Sequence, residues 1–261
     1  MKIVVCIKQV PDTMDVRIDP VTNTLVREGV PSILNPFDEF AVEEGLKIRE
    51  KCGGTVTAIT MGPSQADEVL RLALAMGTDE VVLISDRAFA GSDTLATSYT
   101  LSRAIAKVGV VDVVITGKQA IDGDTAQVGP GIAGRLGLTP LTYVSKVESI
   151  EPDNGKIVVE RLLDDGRERV EANLPVLLAV VKDINVPRQP SILKMKKVRS
   201  AVIPVWNADD IEADRSQIGQ NGSPTWVDRI FSPEFKSGGE IFRGESEELA
   251  GRIAELLIEL K

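Results

Sequence analysis

Short apolar runs and longer amphipathic stretches alternate along the first 140 residues. Ile3–Ile7, Val56–Met61, Glu80–Ile84 and Val113–Thr116 read as strands. Between them, Pro36–Lys51, Gln65–Met76 and Asp93–Val108 repeat apolar residues at helical spacing. Near-continuous apolar strands separated by amphipathic helices imply a parallel sheet covered on both faces. Boundary residues agree. Asn35-Pro36 offers an N-cap followed by proline at the first helical position. Ser64-Gln65-Ala66-Asp67 fits a capping box, and Gly77 follows as a stop signal.

Beyond residue 140 the period changes. Tyr143–Ile150, Lys156–Leu163, Arg167–Ala172 and Val176–Val181 read as strands, with turn signals at Asp153-Asn154-Gly155 and Asp164-Asp165-Gly166. An earlier hairpin pattern joins Val16–Asp19 to Thr24–Arg27. From Pro204 to about Gly244 periodicity fades, yet Trp206, Trp226, Ile230, Phe231, Phe235, Ile241 and Phe242 occur there. Disordered segments are poor in such residues, so this stretch predicts an arm that buries its rings against another surface. A final helix over Glu245–Lys261 places Leu249, Ile253, Leu256, Leu257 and Leu260 on one face. The expected architecture is α/β: a doubly wound, Rossmann-like parallel sheet with an antiparallel extension and a C-terminal arm plus helix. Residues 1–200 form the nucleotide-binding domain, and residues 201–261 the arm and helix.

Composition narrows the chemistry. The chain has 261 residues, 43% of them hydrophobic, which suffices for a sizeable core. No apolar run approaches the roughly 20 residues that span a bilayer, so no membrane insertion is expected, and a cytoplasmic location follows. A net charge of −9 argues against nucleic acid as a partner. Histidine is absent, and the two cysteines, Cys6 and Cys52, have no metal-ligand spacing. Ser–His and Cys–His nucleophiles and most zinc sites are thereby excluded, and no metal is expected. Chemistry must come from carboxylates, lysines or a cofactor, and a cofactor is the better source. One segment runs against the acidic balance. Lys182, Arg188, Lys194, Lys196, Lys197 and Arg199 face a single acid, Asp183, and are interleaved with Ile192, Leu193 and Met195.

In a doubly wound sheet, ligands bind beyond the carboxyl ends of the strands. Four loops leave such ends: Lys8–Thr13, Met61–Ser64, Ser85–Ser98 and Lys118–Gly129. The last follows an apolar strand and leads into Gly131-Ile132-Ala133-Gly134-Arg135-Leu136. Pro130 places the start of that helix near Gly129, because proline is tolerated only in the first turn. The loop is then roughly a dozen residues, longer than most strand-to-helix connections. Two readings of its side chains stay open. Asp122 and Asp124 take ribose hydroxyls while Thr125, Gln127 and the backbone at Gly129 hold phosphate; or the aspartates only form turns and caps. Neither a GxGxxG nor a Walker A pattern is present. Ser92–Ser98 is hydroxyl-rich at a helix start, with Thr94 and Thr97 one turn apart toward the same crevice, unless Asp93 or Thr94 is merely a cap.

Taken in order, several segments resemble the β subunit of electron-transfer flavoproteins along essentially the whole chain. They are Val4-Val5-Cys6-Ile7-Lys8, Asn35-Pro36-Phe37-Asp38, Leu72–Gly77, Gly117–Asp122, Val159–Val170 and Pro175–Ala179. The resemblance implies a heterodimer with an α subunit that carries FAD. It also implies a nucleotide site at Cys6, Asn35 to Asp38, Met61 and Asp122 to Ala133, including Val128, Gly129 and Pro130. Ordinary members hold AMP there; bifurcating members hold a second FAD, reduced by NADH. Asp122–Pro130, Ser92–Ser98 and Lys8–Thr13 resemble the bifurcating type, so FAD is expected, with AMP as the alternative. A docking loop for a dehydrogenase, acyl-CoA or quinone-reducing, matches Ile192 and Leu193, beside Lys194 and Lys196.

Overall fold

The computed structural model describes residues 1–12, 32–228, 239 and 241–259. Thr13, the hairpin expected over 16–27, and Ile230, Phe231, Phe235 and Leu260 of the arm and last helix lie outside them. The chain divides into two compact units, Met1–Asp228 and Arg229–Lys261.

The first unit is built on a nine-stranded sheet. The strands are β1 (Lys2–Cys6), β4 (Thr55–Met61), β5 (Glu80–Ile84), β6 (Val113–Gly117), β7 (Thr139–Glu151), β8 (Lys156–Leu163), β9 (Gly166–Asn173), β10 (Val176–Val180) and β11 (Val205–Trp206). Their spatial order is β11-β5-β4-β1-β6-β10-β7-β8-β9. Pairing is parallel from β11 to β7 and antiparallel through β8 and β9. A separate antiparallel pair joins β2 (Gln9–Pro11) to β3 (Ser32–Leu34).

Alternation along the strands explains why both faces are covered. Ile3, Val5 and Ile7 point into one core with Leu46 of α1 (Pro36–Cys52) and Leu70 of α2 (Asp67–Met76). Val4 and Cys6 point into the other, with Ile105 of α3 (Thr94–Val108) and Ile132 of α4 (Val128–Leu136). Each fully buried Ile or Leu contributes about 1.5–3 kcal/mol, so the period-two pattern fixes which face each helix covers. The chain leaves β1 through α1 toward β4, and leaves β6 through α4 toward β7 on the opposite side. A topological switch point therefore lies between β1 and β6.

Several sequence expectations shift. α4 begins at Val128, which makes Pro130 its third residue, where a missing N–H still costs nothing. Ala66 precedes α2 without a side-chain cap, and Ser64–Ala66 form a 3-10 turn instead of a capping box. Asp67 is engaged by Arg71, at 3.0 Å. Residues 201–228, expected with the arm, fall in the first unit. β11 extends the sheet beside β5, and Ala208, Ile211 and Ile218 are buried with Phe89 and Leu101. In the second unit, helix α6 spans Ser246–Glu259.

Candidate functional site

The switch point is held by one buried carboxylate. Asp38, in the first turn of α1, accepts the Lys8 N–H at 2.7 Å and the Gly117 N–H at 3.2 Å. It thus ties the chain leaving β1 to the end of β6. Burial pushes its pKa up from 3.8 to about 7, against hydrogen bonds from Asn35, Lys8 and Gly117 and the nearby Lys8 charge. Gly117 must lack a side chain: a Cβ there would lie 2.4 Å from Asp38 Oδ1 and 2.7 Å from Phe37 Cβ. Cys6 lies in the same wall, its thiol pKa raised first by burial and then by the Asp38 charge. It is a packed thiol and no nucleophile.

Asn35 occupies the N-cap position of α1 with Pro36 after it, yet its side chain makes no cap bond. It reaches sideways instead. Its Nδ2 donates to the Gln119 carbonyl at 2.9 Å, and its Oδ1 accepts the Ile121 N–H at 3.2 Å. Lys8 Nζ closes the same loop from the other side, 2.6 and 2.8 Å from the two oxygens of Asp122. Residues 120–124 then turn on themselves, with Asp124 and Ala126 at φ of 51° and 54° and Gln119 Nε2 donating to Asp124. Thr125 is exposed on this turn.

The far end of the loop meets α3. Thr94 Oγ1 donates to Gln127 Oε1 at 2.8 Å. Asp93 caps α3 by accepting the Leu95 and Ala96 N–H groups at 2.9 and 3.0 Å. Burial alone would raise its pKa, but hydrogen bonds from Ala96, Thr225 and Leu95 outweigh it and hold the carboxyl below its ordinary value. Thr97 lies one turn along α3, half-buried.

Two observations bear on what the start of α4 holds. Val128 and Gly129 have no acceptor one turn back, and Gln127 makes no side-chain cap, so their N–H groups are free. Beneath them Thr116 Oγ1 is buried without a hydrogen-bond partner, and a Cβ at Gly129 would come within 2.9 Å of it. Bare Gly129 lets the helix start lie close on β6, and its uncapped N–H groups fit a nucleotide phosphate laid on that start. Asp122 and Asp124 on the rim suit ribose hydroxyls.

The sequence that builds this site is similar to that of known proteins. Residues 22–211 match the electron transfer flavoprotein domain. The chain is 54% identical over 258 residues to the electron transfer flavoprotein subunit beta of Thermoanaerobacterium thermosaccharolyticum, covering 98% of each chain. It belongs to the electron transfer flavoprotein family, as a β subunit. Two further relatives span most of the chain. Subunit CarD of the caffeyl-CoA reductase-Etf complex of Acetobacterium woodii is 51% identical, over 99% of this chain and 98% of its own. Protein FixA of Sinorhizobium fredii is 51% identical over 89% and 84%. A flavoprotein β subunit of this kind works in electron transfer beside an α subunit.

Within this electron transfer flavoprotein fold the expected site residues fall into connected groups. Cys6, Lys8, Asn35, Phe37, Asp38 and Asp122 surround the switch point. Thr94 and Gln127 form the second group, next to Val128, Gly129 and Pro130. Met61, at the end of β4, packs half-buried against the α3–α4 core and makes no bond to either. The docking residues form a third, separate place. Ile192, Leu193, Lys194 and Lys196 lie on a short helix, α5 (Ile192–Val198), that buries none of its side chains.

Sequence reasoning missed three contributors. Gln119 was visible only as part of a motif, though its backbone and side chain both brace the loop. Thr116 read as a strand residue. Thr225 donates to Asp93 Oδ2 through Oγ1 at 2.8 Å and N at 3.2 Å, from 132 residues away. No local pattern signals such a contact.

Proposed function

We propose that the crevice between β1 and β6 holds FAD, reduced by NADH, and that the subunit passes electrons to the FAD of its α subunit and on to a dehydrogenase. The observation that carries this is the hydroxyl-rich start of α3 closing on the phosphate loop through Thr94 and Gln127. A purely structural AMP needs the loop but not a row of hydroxyls beside it. Bound there, FAD supplies hydride acceptance from NADH and release of the two electrons one at a time, in bifurcation. The chain supplies position. The free N–H groups of Val128 and Gly129 hold phosphate, Asp122 and Asp124 hold ribose, and Lys8 and Asn35 keep the loop closed. Thr97, and Thr94 once it turns from Gln127, offer O–H donors where negative charge develops.

The docked partner is an acyl-CoA dehydrogenase or a quinone-reducing dehydrogenase, bound at α5 through Ile192 and Leu193 with Lys194 and Lys196 around them. The naming of one relative after a caffeyl-CoA reductase complex supports the acyl-CoA class. The C-terminal arm and α6 pack on the α subunit, and the complex works in the cytoplasm. Among the described residues no helix is long and apolar enough to cross a membrane.

Counting cofactors in the purified heterodimer tests the reading. Two FAD per heterodimer and bleaching of flavin absorbance by NADH are expected. One FAD plus one AMP overturns it in favour of the ordinary, AMP-binding type. A T94V/T97V heterodimer is expected to bind FAD in the β site with a lowered potential; unchanged potentials sink the donor role of the threonines.

A further inference from the structure

After β10 the chain leaves the sheet, crosses the layer formed by α1 and α2, and rejoins the opposite edge at β11. This strap, residues 182–204, carries α5. A seven-residue helix is far too short to persist alone in water, and α5 buries no side chain that would hold it. Ile192 and Leu193 are 75% and 79% exposed. Beyond the Ser191 cap, which accepts the Lys194 N–H at 3.3 Å, and half-buried Val198, so short a segment needs further contacts to stay helical.

Two arginines from outside the helix supply them: Arg71 bonds its C-terminal end, and Arg188 anchors the chain four residues before it to α1. Arg71, on α2, directs Nη1 at the carbonyls of Val198, Arg199 and Ala201, at 2.8, 2.9 and 2.9 Å. Val198 and Arg199 end the helix, Ala201 lies just beyond it and returns its N–H to the Val198 carbonyl at 3.1 Å, and a cation at this end complements the helix dipole. Asp67 fixes the guanidinium through Nε and Nη2 at 3.2 and 3.0 Å. On the other side of α5, Arg188 grips α1. Its Nε and Nη2 bond the two oxygens of buried Glu43 at 2.8 and 3.0 Å, and Nη1 bonds Glu50 at 2.6 Å. Asn185 adds bonds to the Phe40 carbonyl and Glu44, at 3.0 and 2.9 Å. Both clamps act from beneath, so the outward apolar and basic side chains stay clear.

We infer that Arg71 and Arg188 are positioning residues that hold α5 preformed for docking a dehydrogenase with an acidic, apolar-pocketed surface. The inference rests on the docking role proposed above for α5, and it does not depend on which nucleotide fills the crevice. Ordering a short helix before contact removes an entropic cost from association, so loss of a clamp weakens binding without touching the contact residues. The complement is set by charge: Lys194, Lys196, Lys197 and Arg199 are exposed on a chain of net charge −9.

The test uses the heterodimer and two readouts: trypsin cleavage within residues 194–199, and electron exchange with an acyl-CoA dehydrogenase followed at the flavin. R71Q is the first variant, because it opens only carbonyls that water can reach. R188Q/E43Q is the second, since removing both partners leaves no buried charge. Each is expected to speed cleavage about tenfold or more and to raise KM for the dehydrogenase about tenfold, with kcat and flavin content unchanged. I192D/L193D should raise KM while cleavage stays slow. Faster cleavage with unchanged KM in both clamp variants, while I192D/L193D raises KM, overturns the preforming role but leaves docking intact. Unchanged KM in I192D/L193D overturns the docking role, and the inference with it. Unchanged cleavage in both clamp variants shows that neither arginine holds α5.

Discussion

The crevice and the strap are both places where the chain leaves the sheet, and they use buried carboxylates in opposite senses. At the crevice, Asp38 draws backbone N–H groups inward and leaves a cradle of free donors above the switch point. At the strap, Glu43 draws an arginine inward and leaves apolar side chains facing out. A small anionic ligand needs convergent donors; a protein partner needs a firm, uncovered ridge. The difference lies in what each carboxylate holds, a backbone turn in one case and a side-chain tether in the other.

The largest effect should come from breaking the strap's tether on one side only. R188Q leaves Glu43, 5% exposed, without its cation. Stranding a buried charge costs about 3–5 kcal/mol, reduced here to about 2–3 kcal/mol because Arg188 is one-third exposed. A fall in Tm of about 4–12 °C is expected in thermal melts of the heterodimer, and R188Q/E43Q should recover most of it. If the double variant melts no higher than R188Q, the carboxylate is not the cause.

The crevice anchor should cost less and carry a pH signature. D38N keeps the shape but presents an amide N–H₂ to one of two backbone donors, a loss of about 1–3 kcal/mol. The native carboxyl titrates at about 7, against 3.8 ordinarily, so the folded state holds its proton between those values. The stability that Asp38 contributes is therefore greatest below pH 4 and declines as pH rises to 7. Melts of wild type and D38N should differ more at pH 5 than at pH 8. A gap that widens with pH would contradict the burial of Asp38 as the cause of its shift.

The two regions were unequally legible in the sequence. The strands and loops that frame the crevice were legible, because its strands are apolar runs and its loops begin and end at Gly, Pro, Asn and Asp. Glu80–Ile84 matches β5 residue for residue, and the helix at Pro36 starts where its proline indicated. Asn35 shows the limit: its position was correct, but its side chain serves Gln119 and Ile121 and not the helix. The strap was read as chemistry without structure. α5 has no inward face, so no hydrophobic period announces it, and the arginines that hold it lie on other elements or outside the helix. Likewise β11 contributes only two residues, and β7 starts at Thr139, earlier than expected, across a proline that reads as a break. Contacts fixed across more than 100 residues leave no trace in local pattern.

The smallest effect isolates the crevice's exposed latch from its buried anchor. Lys8 and Asp122 form a close pair, but their side chains are 46% and 20% exposed, so salt and water screen it. Exposed pairs contribute about 0–1 kcal/mol, and the loop remains tied at Asn35 by two further bonds. K8M and D122N are therefore each expected to change the Tm of the heterodimer by no more than about 4 °C. Raising salt from 50 to 500 mM should erase that difference while leaving the D38N deficit in place. The latch has more to do once a nucleotide is bound, because opening residues 120–124 frees the ligand's exit. K8M should thus release the β-site nucleotide several-fold faster in dilution experiments, and D122N should match it, with the double variant no faster than either. Additive acceleration would mean that the two side chains hold the nucleotide separately and not through each other.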